Sequence, residues 1–169
     1  MSFTEEKREW IKKYMLEKIR QDDGAYAQKT MENFEVSITT VKRYLKECVE
    51  QKIIVPNADK ECGYCLITVE EEWEVDNVED LEEDTFYFDK VSPILNDLSE
   101  NSRKIWYYAF TEMMNNAIEH AKAKRICCKV KKDVLYTEIS IADDGIGIFN
   151  SIRQYADQQL HGTGKDGIV

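Results

Sequence analysis

At 169 residues the chain is long enough for one ordinary domain or two small ones. It is 43% apolar and 33% charged, with only 7 Gly and 2 Pro, which excludes collagen-like, low-complexity and wholly disordered polypeptides. The net charge of −10 is unevenly spread: residues 1–69 are neutral with 12 bases and 12 acids, residues 70–102 carry −12, and residues 103–169 carry +2. No run approaches the 18 or more apolar residues a membrane helix needs. The opening MSFTEEKREW lacks the basic patch and apolar run of a secretory signal. Five Cys at irregular spacing read as reduced thiols rather than a disulfide framework. The expectation is a cytoplasmic protein with no membrane partner.

Taken in chain order, residues 4–20 place Trp10, Ile11, Tyr14, Met15 and Ile19 at the spacing of one helix face. Gln21 to Gly24 ends that helix, with Gly24 supplying the permissive backbone. A short second helix turns Ala27, Met31 and Phe34 inward. Glu35-Val36 is a tight turn, and Ser37 is a good N-cap for a third helix. That helix buries Val41, Leu45, Cys48 and Val49 and leaves Thr39, Thr40, Lys42, Arg43 and Lys46 more exposed. Ile53 to Val55 and Cys65 to Val69 read as two strands joined by a turn at 57–63.

The order helix, helix, tight turn, helix, hairpin resembles a winged helix-turn-helix, and the stretch YAQKTMENFEVSITTVKRYLKECVEQKII is similar to bacterial regulators of that kind. The resemblance implies that the third helix enters the major groove of double-stranded DNA. Ser37, Thr39, Thr40, Lys42 and Arg43 would then face it, the hydroxyls and Lys42 on phosphates and Arg43 on a guanine edge. Winged helices also dock proteins. A neutral module gains little from phosphate neutralisation, so DNA contact and protein docking both stand. Cys62-Gly63-Tyr64-Cys65 has the outline of half a zinc site but finds no further two ligands nearby in the sequence. The acidic run EEEWEVDNVEDLEEDTFYFD reads as a solvated linker over 70–88.

The segment that follows carries the most specific pattern. Ser102-Arg103 opens a helix running to about Lys122, with Trp106, Phe110, Met113, Ala117 and Ala121 on one face and Met114 and Ile118 beside them. Glu112, Asn116 and His120 fall at i, i+4 and i+8 on another face. The mid-helix pair Asn115-Asn116 works against propensity, which points to a task for at least one of them. A hairpin follows, made of Arg125 to Val130 and Val134 to Ala142 around Lys132-Asp133. Leu135, Thr137, Ile139 and Ile141 share one face of its second strand. Asp143 has the same parity, so its carboxylate points toward the apolar side, a costly placement without a donor.

EMMNNAIEHA at 112–121 resembles the N-box of the GHKL superfamily, and DDGIGI at 143–148 resembles its G1 box. That group includes DNA gyrase, heat-shock chaperones, histidine kinases and mismatch-repair ATPases, together with anti-sigma-factor kinases. The resemblance implies binding of ATP and Mg²⁺. Asn116 would supply an oxygen to Mg²⁺, Glu112 would orient or deprotonate the attacking water or hydroxyl, and Asp143 would accept the adenine amino group. Gly145 and Gly147 would let the base pack against the backbone. Residues 150–161 would form a lid. Gly162, Gly164 and Lys165 lie in a stretch similar to the G2 box, whose backbone N–H groups cradle phosphates.

The expected fold class is therefore α+β: a winged helix-turn-helix over 1–69, the acidic linker, and a GHKL-type (Bergerat) α/β-sandwich over 89–169. The family's sheet continues past the G2 box, so the resemblance implies further chain beyond Val169, or a protein partner or second copy completing the sheet. A sensor histidine kinase does not fit, because both His, His120 and His161, fall inside the ATP-binding segment rather than on a separate phosphoacceptor helix. Two functions remain. One is a nucleotide-controlled regulator with slow ATPase or Ser/Thr kinase activity. The other is a non-catalytic DNA-binding regulator whose GHKL scaffold is a docking or dimerisation module.

Overall fold

The computed structural model describes residues 4–76, 81–120 and 123–145. They form an α+β protein with two small antiparallel sheets, one of two strands and one of three. The chain divides into two compact units, Met1–Val69 with Lys131–Thr137, and Glu70–Val130 with the residues from Glu138 onward.

The first unit is built from helices α1 (Glu5–Arg20), α2 (Tyr26–Phe34) and α3 (Ile38–Glu50) and a hairpin of β1 (Ile54–Pro56) and β2 (Tyr64–Leu66). Thr4 caps α1 by accepting from the Lys7 amide. Glu5 and Glu6 in the first turn and Lys18 and Arg20 in the last complement the helix dipole. The chain leaves α1 through Asp22, which takes the positive φ of 56° that the sequence reading gave to Gly24. Asp tolerates this conformation better than most residues, and its carboxylate accepts from the Cys62 amide at 3.2 Å, forty residues along the chain. Glu35 (φ 52°) makes the turn after α2, and Ser37 caps α3. Ile54 pairs with Leu66 and Pro56 with Tyr64.

The core of this unit is Ile11, Met15, Leu16, Ile19, Val36, Val41, Tyr44, Cys48, Ile54 and Cys62. Two positions differ from the sequence reading. Trp10 is 63% exposed and Leu16 takes its inward place, while Tyr44 is fully buried between Val41 and Cys48. Leu135, expected on the inward face of a strand, instead packs against this core from the tip 131–137. Asp133 fixes that tip by accepting from the Leu135 and Tyr136 amides, and its other oxygen lies 3.3 Å from Arg20.

In the second unit the three-stranded sheet has the order β3 (Val69–Asp76), β4 (Arg125–Lys132), β5 (Thr137–Asp143). A helical layer covers one face: α4 (Glu83–Phe86), continued through a wide π-type turn Tyr87–Val91 and a 3-10 turn Ser92–Leu95, and α5 (Glu100–Asn115), continued by a second π-type turn Asn116–His120. Within the expected linker 70–88, residues 70–76 and 83–88 thus belong to regular elements of this unit. The second half of β3 alternates, with Trp73 and Val75 turned to the core and Glu72, Glu74 and Asp76 exposed, while Val69, Glu70 and Glu71 are all exposed. The acids meet bases on β4: Arg125 pairs with Asp76 at 2.9 Å, and Lys129 with Glu70 at 2.6 Å and Glu72 at 3.5 Å. Beneath lie Phe86, Tyr87, Val91, Leu95, Phe110, Met114, Ile126, Cys128 and Val130. Ser99, three residues before the expected start, caps α5 by accepting from the Ser102 amide at 3.1 Å.

Candidate functional site

Helix α5 turns Phe110, Met114 and Ala117 into the core, whereas Met113, expected inward, is 45% exposed. Glu112, Asn116 and Glu119 are exposed. The Asn116 amide donates to the carbonyls of both Glu112 and Met113, and the π-type turn begins at this residue. Glu112 and Asn116 stand at i and i+4, and the His120 side chain lies outside the described residues. The Asn pair divides its tasks. Asn115 donates from Nδ2 to Glu83 Oε1 at 3.3 Å, tying α5 to α4, while the Asn116 side chain is left to solvent.

The end of β5 is organised by two carboxylates with different jobs. Asp143 keeps the parity of Ile139 and Ile141, is exposed, and accepts from the Gly145 amide at 2.9 Å, which bends the chain directly after the strand. Asp144 accepts from the Arg125 amide at 2.9 Å and the Lys124 amide at 2.8 Å, and its own amide donates to the Arg125 carbonyl. The backbone N–H groups of Arg125 and Lys124 hold its carboxyl below the ordinary carboxylate range. Asp144 is thus a clamp between the end of β5 and the start of β4, a role the sequence reading passed over.

These bonds form a chain of contacts from one candidate element to the other. The Ala123 amide donates to the Ala117 carbonyl at 3.3 Å, Lys124 and Arg125 follow at once, and both are held by Asp144. Asn116 adjoins the first link and Asp143 the last. Ile118 and Ile141 also pack on one core cluster. Hydrogen bonds thus connect the residue after Asn116 with the residue after Asp143, and Glu112 lies one turn before Asn116. Gly145, half-buried, follows Asp144 directly. Gly147, Gly162, Gly164, Lys165 and the expected lid at 150–161 lie outside the described residues. Among the described residues no group of three or more His, Cys, Asp or Glu side chains is arranged to hold a metal. Cys62 and Cys65 are free thiols, Cys62 donating to the Tyr64 carbonyl at 3.1 Å.

Of the set expected to face DNA on α3, Ser37 is exposed and Thr40 half-buried. Ser37 Oγ accepts from the Thr40 amide at 3.3 Å and lies 3.2 Å from the Thr40 hydroxyl, so the two side chains engage each other at the cap. Thr39, Lys42 and Arg43 are exposed. The Arg43 guanidinium stands 5.0 Å from the Tyr44 ring centroid, and Arg8 and Lys12 approach the same ring at 5.8 and 5.9 Å. Glu47 balances these cations, at 2.7 Å from Arg8 and 3.2 Å from Lys12. The hydrogen bond from Arg8 holds the Glu47 carboxyl below its usual range. Between α2, α3 and the hairpin runs a groove of about 570 Å³, lined by Tyr26, Ile38, Leu45, Val49, Pro56 and Tyr64, with Lys42 and Lys46. Sequence periodicity missed it because Ile38 and Leu45 fall on the flank between the buried and the solvent faces.

No family model, curated protein or solved structure matches this chain.

Proposed function

We propose that the second unit binds ATP with Mg²⁺ in the GHKL manner and that the first unit, of winged-helix type, is the output module whose contacts the nucleotide controls. What supports this reading is the run of hydrogen bonds through Ala117, Ala123, Lys124, Arg125 and Asp144, which links the neighbour of Asn116 to the neighbour of Asp143. An exposed carboxylate next to a glycine-permitted bend offers an acceptor to an exocyclic amine. An exposed amide on the adjoining helix offers oxygen to a hard cation that shares its shell with phosphates. Glu112, one turn from Asn116, is in sequence to act on a nucleophile at the phosphate end.

Nucleotide affinity, measured with a fluorescent ATP analogue with and without Mg²⁺, tests this. Asp143→Asn is the informative variant, because the new amide oxygen still accepts from Gly145 and keeps the turn while changing what the group offers a purine. We expect at least a tenfold loss of affinity, about 1.4 kcal/mol. Asn116→Ala removes the Mg²⁺-dependent gain, and Glu112→Ala keeps binding but loses turnover. An affinity unchanged in Asp143→Asn refutes the adenine assignment.

A further inference from the structure

We infer that the groove between α2, α3 and the hairpin of the first unit is a docking site for an acidic amphipathic segment of a protein partner. The proposal names the partner class of the output module and rests on the proposed function only in treating this unit as the output; it does not depend on nucleotide.

Three features lead to it. The groove's wall is apolar: Ile38, Leu45 and Val49 along α3 face Tyr26 on α2 and Pro56 and Tyr64 on the hairpin, and Ile38 is 41% exposed. From Ile38 to Val49 it follows α3 for roughly 16 Å at 1.5 Å per residue, a length suited to about three turns of a docked helix with anchors at i, i+3 or i+4, and i+7. Second, the charged side chains lining it are two cations, Lys42 and Lys46, at i and i+4 on one rim. Lys42 has no ion-pair partner among the described residues, and Lys46 is held at 3.7 Å by the exposed Glu50. An apolar trough with a cationic rim is complementary to a helix that is apolar on one side and acidic beside it.

Third, the same face is poorly made for DNA. Duplex interfaces are more polar and far more positive than protein interfaces, whereas this unit's segment 1–69 is neutral. Two of the hydroxyls expected on phosphates, those of Ser37 and Thr40, are engaged with each other at the cap. At the first turn of α3, where a recognition helix reads bases, stands the apolar Ile38.

A displayed library of three-turn peptides selected against the whole chain, without nucleotide, tests the proposal. Enriched peptides should combine spaced apolar anchors with Asp or Glu. Their affinity, read by fluorescence polarisation, should fall about tenfold or more in Ile38→Glu and in the double variant Lys42→Glu/Lys46→Glu. The double variant changes only exposed side chains, and circular dichroism of both variants should match the parent. A fluorescent DNA duplex should neither bind with comparable affinity nor displace the peptide. The proposal fails if no peptide is enriched, if the enriched peptides are neutral or basic, if both variants bind as the parent does, or if duplex DNA displaces the peptide. None of these outcomes touches the ATP measurement, so the two readings fail separately.

Discussion

Replacing Phe110 with Ala should remove the central contact of the second unit. Phe110 is 1% exposed, its ring stacked on Phe86 at 6.0 Å with a 7° interplanar angle and tilted against Tyr87 at 5.4 Å. Burial of the side chain accounts for roughly 1.5–3 kcal/mol, and each aromatic pair adds about 0.5–1.5 kcal/mol. The truncation should therefore cost about 3–5 kcal/mol, the usual range for a buried Phe. With a urea slope of about 1.5 kcal/mol/M the midpoint falls by about 2–3 M. Tryptophan fluorescence is the convenient probe, since Trp73 and Trp106 pack on this core. Trp10 is 63% exposed in the first unit, so a Trp10→Phe background confines the signal to the second. Phe110→Leu should lose only about 1 kcal/mol. A loss under about 1.5 kcal/mol for Phe110→Ala refutes the packing described.

The Glu47 carboxyl, held low by Arg8 in the folded state, stabilises the fold above its unfolded value, and that contribution is lost as pH falls through the folded value. Glu47→Gln should therefore flatten the acid limb of a stability-against-pH curve measured by thermal melting; an unaltered limb excludes the pairing. Ser99→Ala removes the α5 cap and should lower stability in a urea titration by about 1 kcal/mol, whereas Asn101, exposed and outside the cap, should tolerate Ala. Burial pushes the Cys128 thiol up to about 12, and Cys48 and Cys62 are also buried and raised. Alkylation near neutral pH, followed by mass spectrometry, should leave these three unmodified while the fold persists. Asp144→Ala should loosen the β4–β5 end and raise hydrogen exchange at the Lys124 and Arg125 amides, with no increase if those bonds are absent.

The helices of the first unit were legible because each carries its own punctuation: Thr4 and Ser37 cap, Glu35 turns, and apolar residues return at helical spacing. The hairpin of β4 and β5 was legible from alternation, although its second strand begins at Thr137 rather than Val134 because Asp133 gathers the preceding amides into a turn. β3 was hidden by its charge. Its acids suggest solvent when counted together, yet Trp73 and Val75 stand at alternate positions, and the bases that meet the acids, Arg125 and Lys129, lie far along the chain. The exchange of Met113 for Met114 and the burial of Tyr44 reflect packing partners that a single-helix pattern does not contain. At the candidate site, the residue types at 112, 116 and 143 were visible as motifs. The clamp made by Asp144 was not, since it depends on amides brought from another strand.

The acid-rich strand has one more effect. β3 ends the sheet among the described residues, so its outer margin could template the next copy of the same chain. Two such margins laid antiparallel would set carboxylates against carboxylates, a repulsion that opposes edge-to-edge stacking. The charges that bind β3 to its own sheet would in this way also disfavour growth into a ribbon.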